Sequence, residues 1–259
     1  MKLGGGAIII ALLAVFVFGQ DPGRVLKDIA GGQAQAPAAP PRQSSGGNDE
    51  VADFVSVVLA ETEDAWGGVF RASGSMYQPP TLVLFTDAVQ SACGFNSAAT
   101  GPFYCPLDQK VYLDLGFLNE LRRMGASGDF AFAYVIAHEV GHHIQTLTGV
   151  SQQVRELRQR SSRTQGNQLS VLQELQADCY AGMWARRAHE ARNILEEGDV
   201  EEGLRAAASI GDDRMMKNAG RRVQPEAFTH GTSEQRVYWL RRGIETGSVE
   251  ACDTFAQAR

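Results

Sequence analysis

Positive charge is the first thing this sequence lacks. It carries 24 Lys and Arg against 30 Asp and Glu, a formal net charge of −6, whereas a nucleic-acid binder shows a basic face. Nucleic acid is therefore excluded as a partner. Cysteine is also scarce. Four in 259 residues are too few for a disulfide-dense scaffold, and without a CxxC pair a structural zinc knuckle has no ligands. The 28 Gly and 9 Pro stay close to the ordinary background of about 12%, which excludes a collagen-like or wholly disordered chain. No internal repeat divides the sequence.

The N-terminus holds an unbroken run of twelve apolar residues, Ala7 to Phe18, within an uncharged stretch from Leu3 to Gly19. That is the lower limit, about 17 residues, for crossing a bilayer. The residues that follow the apolar core, Gly19-Gln20-Asp21, fit the small-x-small pattern of a cleavage site poorly. We read 1–6 as a short tail and 7–19 as an uncleaved transmembrane signal-anchor, in preference to a cleaved signal or a soluble helix. Lys2 and the amino terminus nearly balance Arg24 and Lys27, so charge leaves the orientation open. The cysteine pairs favour a C-terminal domain exported to the periplasmic or extracellular side. Residues 20–48 read as a flexible linker: Gly31 to Asn48 is GGQAQAPAAPPRQSSGGN, with no large apolar side chain to bury. The folded part is then 49–259, long enough for one substantial core.

Within it, Val51, Phe54, Val55, Val58 and Leu59 recur at helical spacing. Thr81–Phe85 and Lys110–Asp114 read as strands. Helical patterns follow at about 129–147, where Asp129 is placed as the cap, then at 151–159, 168–190 and 200–209. A few strands followed by many helices predict an α+β domain, mostly helical with a small β-sheet, preceded by the N-terminal transmembrane helix.

The strongest chemical signal is His138-Glu139-Val140-Gly141-His142. One helical turn separates the histidines, so both imidazoles face a single ion. Glu139 sits about 100° around the axis, beside that ion, where a carboxylate serves as general base to a polarised water. With five His and sixteen Glu in the chain, chance predicts about 0.006 such matches. The preceding Phe130-Ala-Phe-Ala-Tyr-Val-Ile-Ala137 is apolar on nearly every side, which predicts a buried helix. Polar groups buried there need a partner or a ligand.

A catalytic zinc wants three protein ligands and an open position. The candidates for the third are His143, His189, His230 or a carboxylate. In the 168–190 helix, Asp178 falls on the apolar stripe of Val171, Leu175 and Gly182, with Glu174 at its edge. Glu174 as third ligand and Asp178 as the carboxylate orienting a ligand histidine satisfy both the ligand count and the outer shell. Two His and one Glu favour zinc, one per chain.

His138-Glu-Val-Gly-His142 followed by Glu174-Leu-Gln-Ala-Asp178 resembles the gluzincin pattern, HExxH with a downstream ExxxD. More closely, the chain resembles a bacterial family of neutral zinc metallopeptidases, which are membrane-anchored. The resemblance runs through Gly101-Pro-Phe-Tyr-Cys105-Pro, Val111-Tyr-Leu-Asp114, Ala137 to His143, Glu174 to Cys179, Thr229 to Arg236, and Cys252-Asp-Thr-Phe255. It implies a zincin-like fold and hydrolysis of peptide bonds, with peptides or proteins as substrates and the membrane as a partner through the N-terminal helix. His230 to Arg236 also resembles the His-x5-Arg region of CAAX-prenyl-protease-type gluzincins, implying that His230 donates to the oxyanion and Arg236 orders the site. A helix cap at His230 and Tyr238 as donor stand as alternatives. Cys93 and Cys105 flank a loop beside the expected cleft wall. A bridge there, and a Cys179–Cys252 bridge tying the tail to the ligand helix, compete with four buried thiols.

These readings predict a membrane-anchored zinc metallopeptidase with Glu139 as base, its substrates adding as extended peptides to the Val111 strand. The alternatives are a catalytically silent zinc-binding module that binds or presents a protein partner, and a zinc hydrolase of some other substrate.

Overall fold

In a computed structural model, residues 46–97 and 101–256 are described. The expected anchor at 7–19 and nearly all of the linker lie outside them. Among the described residues no helix is long and apolar enough to cross a membrane. Helix α1, Gly46–Ala72, begins inside the segment that reads as linker, where Gly46-Gly47-Asn48 offers neither hydrophobic periodicity nor helix propensity to mark it.

After α1 come five short strands: β1 (Thr81–Phe85), β2 (Ala88–Ser91), β3 (Gly94–Ser97), β4 (Phe103–Cys105) and β5 (Lys110–Asp114). β2 and β3 form a separate antiparallel hairpin. The other three make a sheet of order β1-β5-β4, with β1 parallel and β4 antiparallel to β5. Two expectations change here. The Val111 strand is the centre of the sheet, paired on both sides, so a peptide cannot add to it. Its run of buried residues, Val111 to Asp114, is what a strand covered on both faces needs. The edge strand toward the cleft is β4. The segment between Cys93 and Cys105, read as a loop, contains β3 and most of β4.

The rest is helical: α2 (Phe117–Arg123), α3 (Asp129–Leu147), α4 (Val150–Gln159), α5 (Arg163–Arg192), α6 (Asp199–Ser209), α7 (Asp212–Asn218) and α8 (Ser233–Thr246). Asp129 is the first residue of α3 and not its cap, a position that Gly128 takes; its carboxylate still sits at the positive end of the helix. α5 starts five residues before the apolar periodicity does. Its first turn faces solvent, and what marks it is the reciprocal box in which Ser162 and Gln165 cap one another.

α3 is buried along most of its length, as its apolar circumference predicts, and packs against α5, α6, α1 and the sheet. α5 packs most extensively against α8. That contact depends on Gly182 and Gly243: a methyl group on Gly182 would collide with the Leu240 carbonyl, and one on Gly243 with the Cys179 carbonyl. Backbone therefore lies directly on backbone. All four cysteines are bridged, Cys93 to Cys105 and Cys179 to Cys252, and no free thiol is found. The first bridge ties the β2–β3 turn to β4. The second ties the C-terminal tail to α5, where Gln176 Nε2 donates to the Cys252 carbonyl and Thr254 Oγ1 to that of Leu172.

Gly182→Ala and Gly243→Ala should each lower stability by about 3 kcal/mol, because two backbones must separate to admit the methyl. Chemical denaturation of the purified variants measures this directly.

Candidate metal centre

The two histidines of α3 and one carboxylate of α5 converge. His138 Nε2 is 3.1 Å from Glu174 Oε2, and His142 Nε2 is 3.4 Å from Glu174 Oε1. The three donor atoms lie within 4.8 Å of one another. His138 is 6% exposed, and Glu174 faces the cleft. His138, His142 and Glu174 thus form a group that could hold a metal ion, and two imidazoles with a carboxylate are a set that divalent zinc accepts.

Both imidazoles are held from behind, each through Nδ1, which leaves Nε2 to face the centre. His138 Nδ1 donates to Asp178 Oδ1 at 2.8 Å, and His142 Nδ1 to Gln145 Oε1 at 2.9 Å. Gln145 is itself fixed, its amide donating to the Gln173 carbonyl at 2.7 Å and to Gln176 Oε1 at 3.0 Å. Asp178 is fully buried. Arg236 from α8 grips it with Nε on Oδ2 and Nη2 on Oδ1, both at 2.9 Å, and the Tyr134 hydroxyl donates to Oδ1 at 2.6 Å. One carboxylate on α5 so accepts from two other helices, α3 and α8.

The charges answer to this arrangement. Burial pushes the Asp178 carboxyl up, but Arg236 and then His138 outweigh it and hold the pKa down at about 2. Burial opposes charge on His138, yet Asp178 and then Glu174 raise it to about 10. Burial likewise opposes charge on His142, and Glu174 raises it. Glu174 is held well below the usual carboxylate range, burial being overcome first by His142 and then by His138. Protons on the imidazoles occupy the field that a divalent cation would enter, so binding one releases them.

Glu139 is buried, 7% exposed, and lines the same cleft as His138, His142 and Glu174. Among the described residues no group hydrogen-bonds its carboxylate. The remaining histidines separate clearly. His143 is buried away from the centre: Nε2 donates to the Gln78 carbonyl at 2.6 Å and Nδ1 accepts from the Tyr104 hydroxyl at 3.0 Å. Burial lowers its pKa, so it is a neutral strap holding β4 to α3. His189 accepts from the Leu195 backbone at the end of α5. His230 lines the cleft beside Glu139 and Arg236. It does not cap α8, since Thr232 does so with Gln235. Tyr238 is half exposed and does not line the cleft.

The sequence reading passed over Asp212. Its Oδ2 accepts from the backbone N–H groups of Thr229, His230 and Gly231 at 2.7, 2.7 and 3.0 Å, while Oδ1 lies 3.2 Å from His230 Nδ1. It shapes the turn and aims the imidazole. Tyr134 and Gln145 were passed over as well, one as an apolar helix residue and the other as an ordinary polar one.

Fold and site together define an α+β protein with a His-His-Glu group that could hold a metal ion on the floor of a cleft. The chain belongs to the family described as "putative neutral zinc metallopeptidase", whose profile matches residues 1–255. It is 44% identical over 256 residues to the Escherichia coli protein called "Uncharacterized protein YpfJ", covering 98% of this chain and 88% of the relative. It is 38% identical over 216 residues to "Uncharacterized protein Rv2575" of Mycobacterium tuberculosis, covering 79% and 72%. No solved structure gives a significant match.

Asp178→Asn should weaken zinc binding by about 10- to 100-fold by loosening His138, while His143→Ala should leave affinity within a few fold of wild type. Competition against a chromophoric chelator measures both.

Proposed function

We propose that the protein is a zinc-dependent metallopeptidase of zincin type, tethered to the membrane through residues 7–19 with its C-terminal domain exported. The observation that carries this reading is the position of Glu139, a buried carboxylate with no bonding partner among the described residues, on the same cleft floor as the three converging donors. The two disulfides support export, since such bonds persist in oxidising compartments.

His138, His142 and Glu174 would hold the zinc, which supplies Lewis-acid polarisation of a water and of the scissile carbonyl. Glu139 accepts the proton of that water as it attacks, and delivers it to the leaving amine. His230 donates a hydrogen bond to the developing oxyanion. Asp212 keeps the imidazole aimed at the cleft and favours its protonated, donating form. Arg236 acts through Asp178 on His138 and touches no reacting atom. An extended substrate lies along β4, whose outer side has no partner strand among the described residues. The intact Glu139 in the cleft supports the peptidase reading over the silent-module alternative.

Glu139→Gln should bind zinc with wild-type affinity and lose hydrolysis of a generic peptide library by about 10³-fold or more; undiminished turnover overturns the reading. The Asp212 carboxylate raises the His230 pKa, its hydrogen bond being the largest cause. The donating form of His230 therefore survives to higher pH than it would alone. In Asp212→Asn the alkaline limb of the kcat/KM profile should move to lower pH, with little change at the acid limb.

A further inference from the structure

The cleft runs past the metal centre in both directions, and its two halves differ in chemistry. One half, about 450 Å³, is walled by Phe103, Phe117, Met124, Val135 and Ile210. The other, about 880 Å³, also touches His142 and Glu174 and runs between Leu107, on the turn after β4, and the corner where α4 meets α5. Arg155, Arg158 and Arg163 line this larger half, and Glu174 is the only carboxylate on its walls.

Three guanidiniums on one wall are conspicuous in a protein of net charge −6. Arg186 pairs with Glu190, Arg192 with Glu61 and Asp64, and Arg236 with Asp178, while most other arginines of the described residues, Arg122, Arg205 and Arg241 among them, pair with no carboxylate. Arg155, Arg158 and Arg163 are also without a carboxylate partner among the described residues; what distinguishes them is that they line one recess. The Arg158 stem passes over buried Gly166, which also lines the groove: a Cβ built on that glycine lies 3.8 Å from Arg158 Cγ. The capped N-terminus of α5 opens on the same space through Ser162, adding the positive end of a long helix dipole.

Resting on the peptidase reading, we infer that this half of the cleft is a subsite for acidic side chains, so that the substrates are peptides with Asp or Glu clustered on one side of the scissile bond. Guanidinium and carboxylate match as forked donor and acceptor, and the arginines lie in line with the metal centre and β4, along the path of an extended chain. An acidic peptide fits this space better than a lipid surface, because the arginines share one recess with His142 and Glu174 of the metal centre. The exposed Arg160 lies outside it.

The test uses the full-length, zinc-loaded chain and fluorescein-labelled peptides with a common apolar core, carrying three aspartates on the N-terminal side, on the C-terminal side, or none. Binding is read by anisotropy on Glu139→Gln protein and turnover on the wild type. One acidic peptide should bind roughly tenfold tighter than the neutral one, less so in high salt. The preference should vanish when Arg155, Arg158 and Arg163 are all changed to Gln, and persist in Arg160→Gln. All three arginines are exposed, so the triple variant should keep the wild-type melting temperature. In wild-type turnover the same preference should appear in KM, and the triple change should remove it. Equal binding of all peptides overturns the inference, as does a preference that survives the triple change, or a loss confined to phosphatidylglycerol vesicles. An acidic peptide that binds through the arginines but is never cleaved upholds the subsite and overturns the peptidase reading instead.

Discussion

The metal centre depends on one buried ion pair. Asp178 is wholly inaccessible and Arg236 only 2% exposed, and two charges taken out of water carry a desolvation penalty of several kcal/mol each. The geometry offsets much of that. Both carboxylate oxygens accept from the guanidinium, and one accepts from Tyr134 and His138 as well. Well-packed apolar residues in the same space would do as much for stability, so stability is a poor reason for the pair to be there. Its placement against His138 supplies a better one. The pair fixes which imidazole nitrogen faces the cleft and strengthens that nitrogen as a donor.

The same pair is also a joint between helices. Tyr134 comes from α3, Asp178 from α5 and Arg236 from α8, and the angle at which these helices meet sets whether the side chains reach. Gly182 and Gly243 let α5 and α8 touch backbone to backbone just beyond the pair, and the Cys179–Cys252 bridge locks the adjacent turn of α5 to the tail. On the other flank, Gln145 links His142 to Gln173 and Gln176, and Gln176 in turn reaches the Cys252 carbonyl. The two ligand histidines are thus anchored through separate networks to one helix, α5, which itself contributes the third donor. A shift of α5 would move Glu174 and both supports together, preserving their mutual geometry better than three independent anchors could.

This explains what the sequence made legible. The histidines and Glu139 lie within one helical turn, where spacing alone fixes their relation. Glu174 and Asp178 could be found because carboxylates on an apolar stripe demand partners. Asp212 gave no such signal: it precedes His230 by eighteen residues, opens a short helix, and looks like any acidic N-terminal residue until the turn folds back on it. The centrality of β5 was hidden for a related reason. A five-residue strand alternating on one face reads the same at an edge as in the middle, and only its pairing with β4 across a short turn and with β1 across a long connection distinguishes them. Arg155, Arg158 and Arg163 look in sequence like the solvated face of a polar helix, and their meaning comes from the wall opposite, supplied by residues some fifty positions earlier.

The protonation pattern bears on what kind of metal site this is. A structural zinc site is closed by four ligands, and small domains built on one unfold without it. Here the donors are three, and the core formed by α1, α3, α5, α6 and α8 is apolar and continuous around them. The donors also satisfy one another, with imidazoles raised and Glu174 lowered by mutual attraction. The core therefore packs around these donors through apolar contacts and is tied by two disulfides. Three converging donors facing a cleft, with a buried carboxylate beside them that has no hydrogen-bond partner among the described residues, are the arrangement on which the proposed peptidase reading rests.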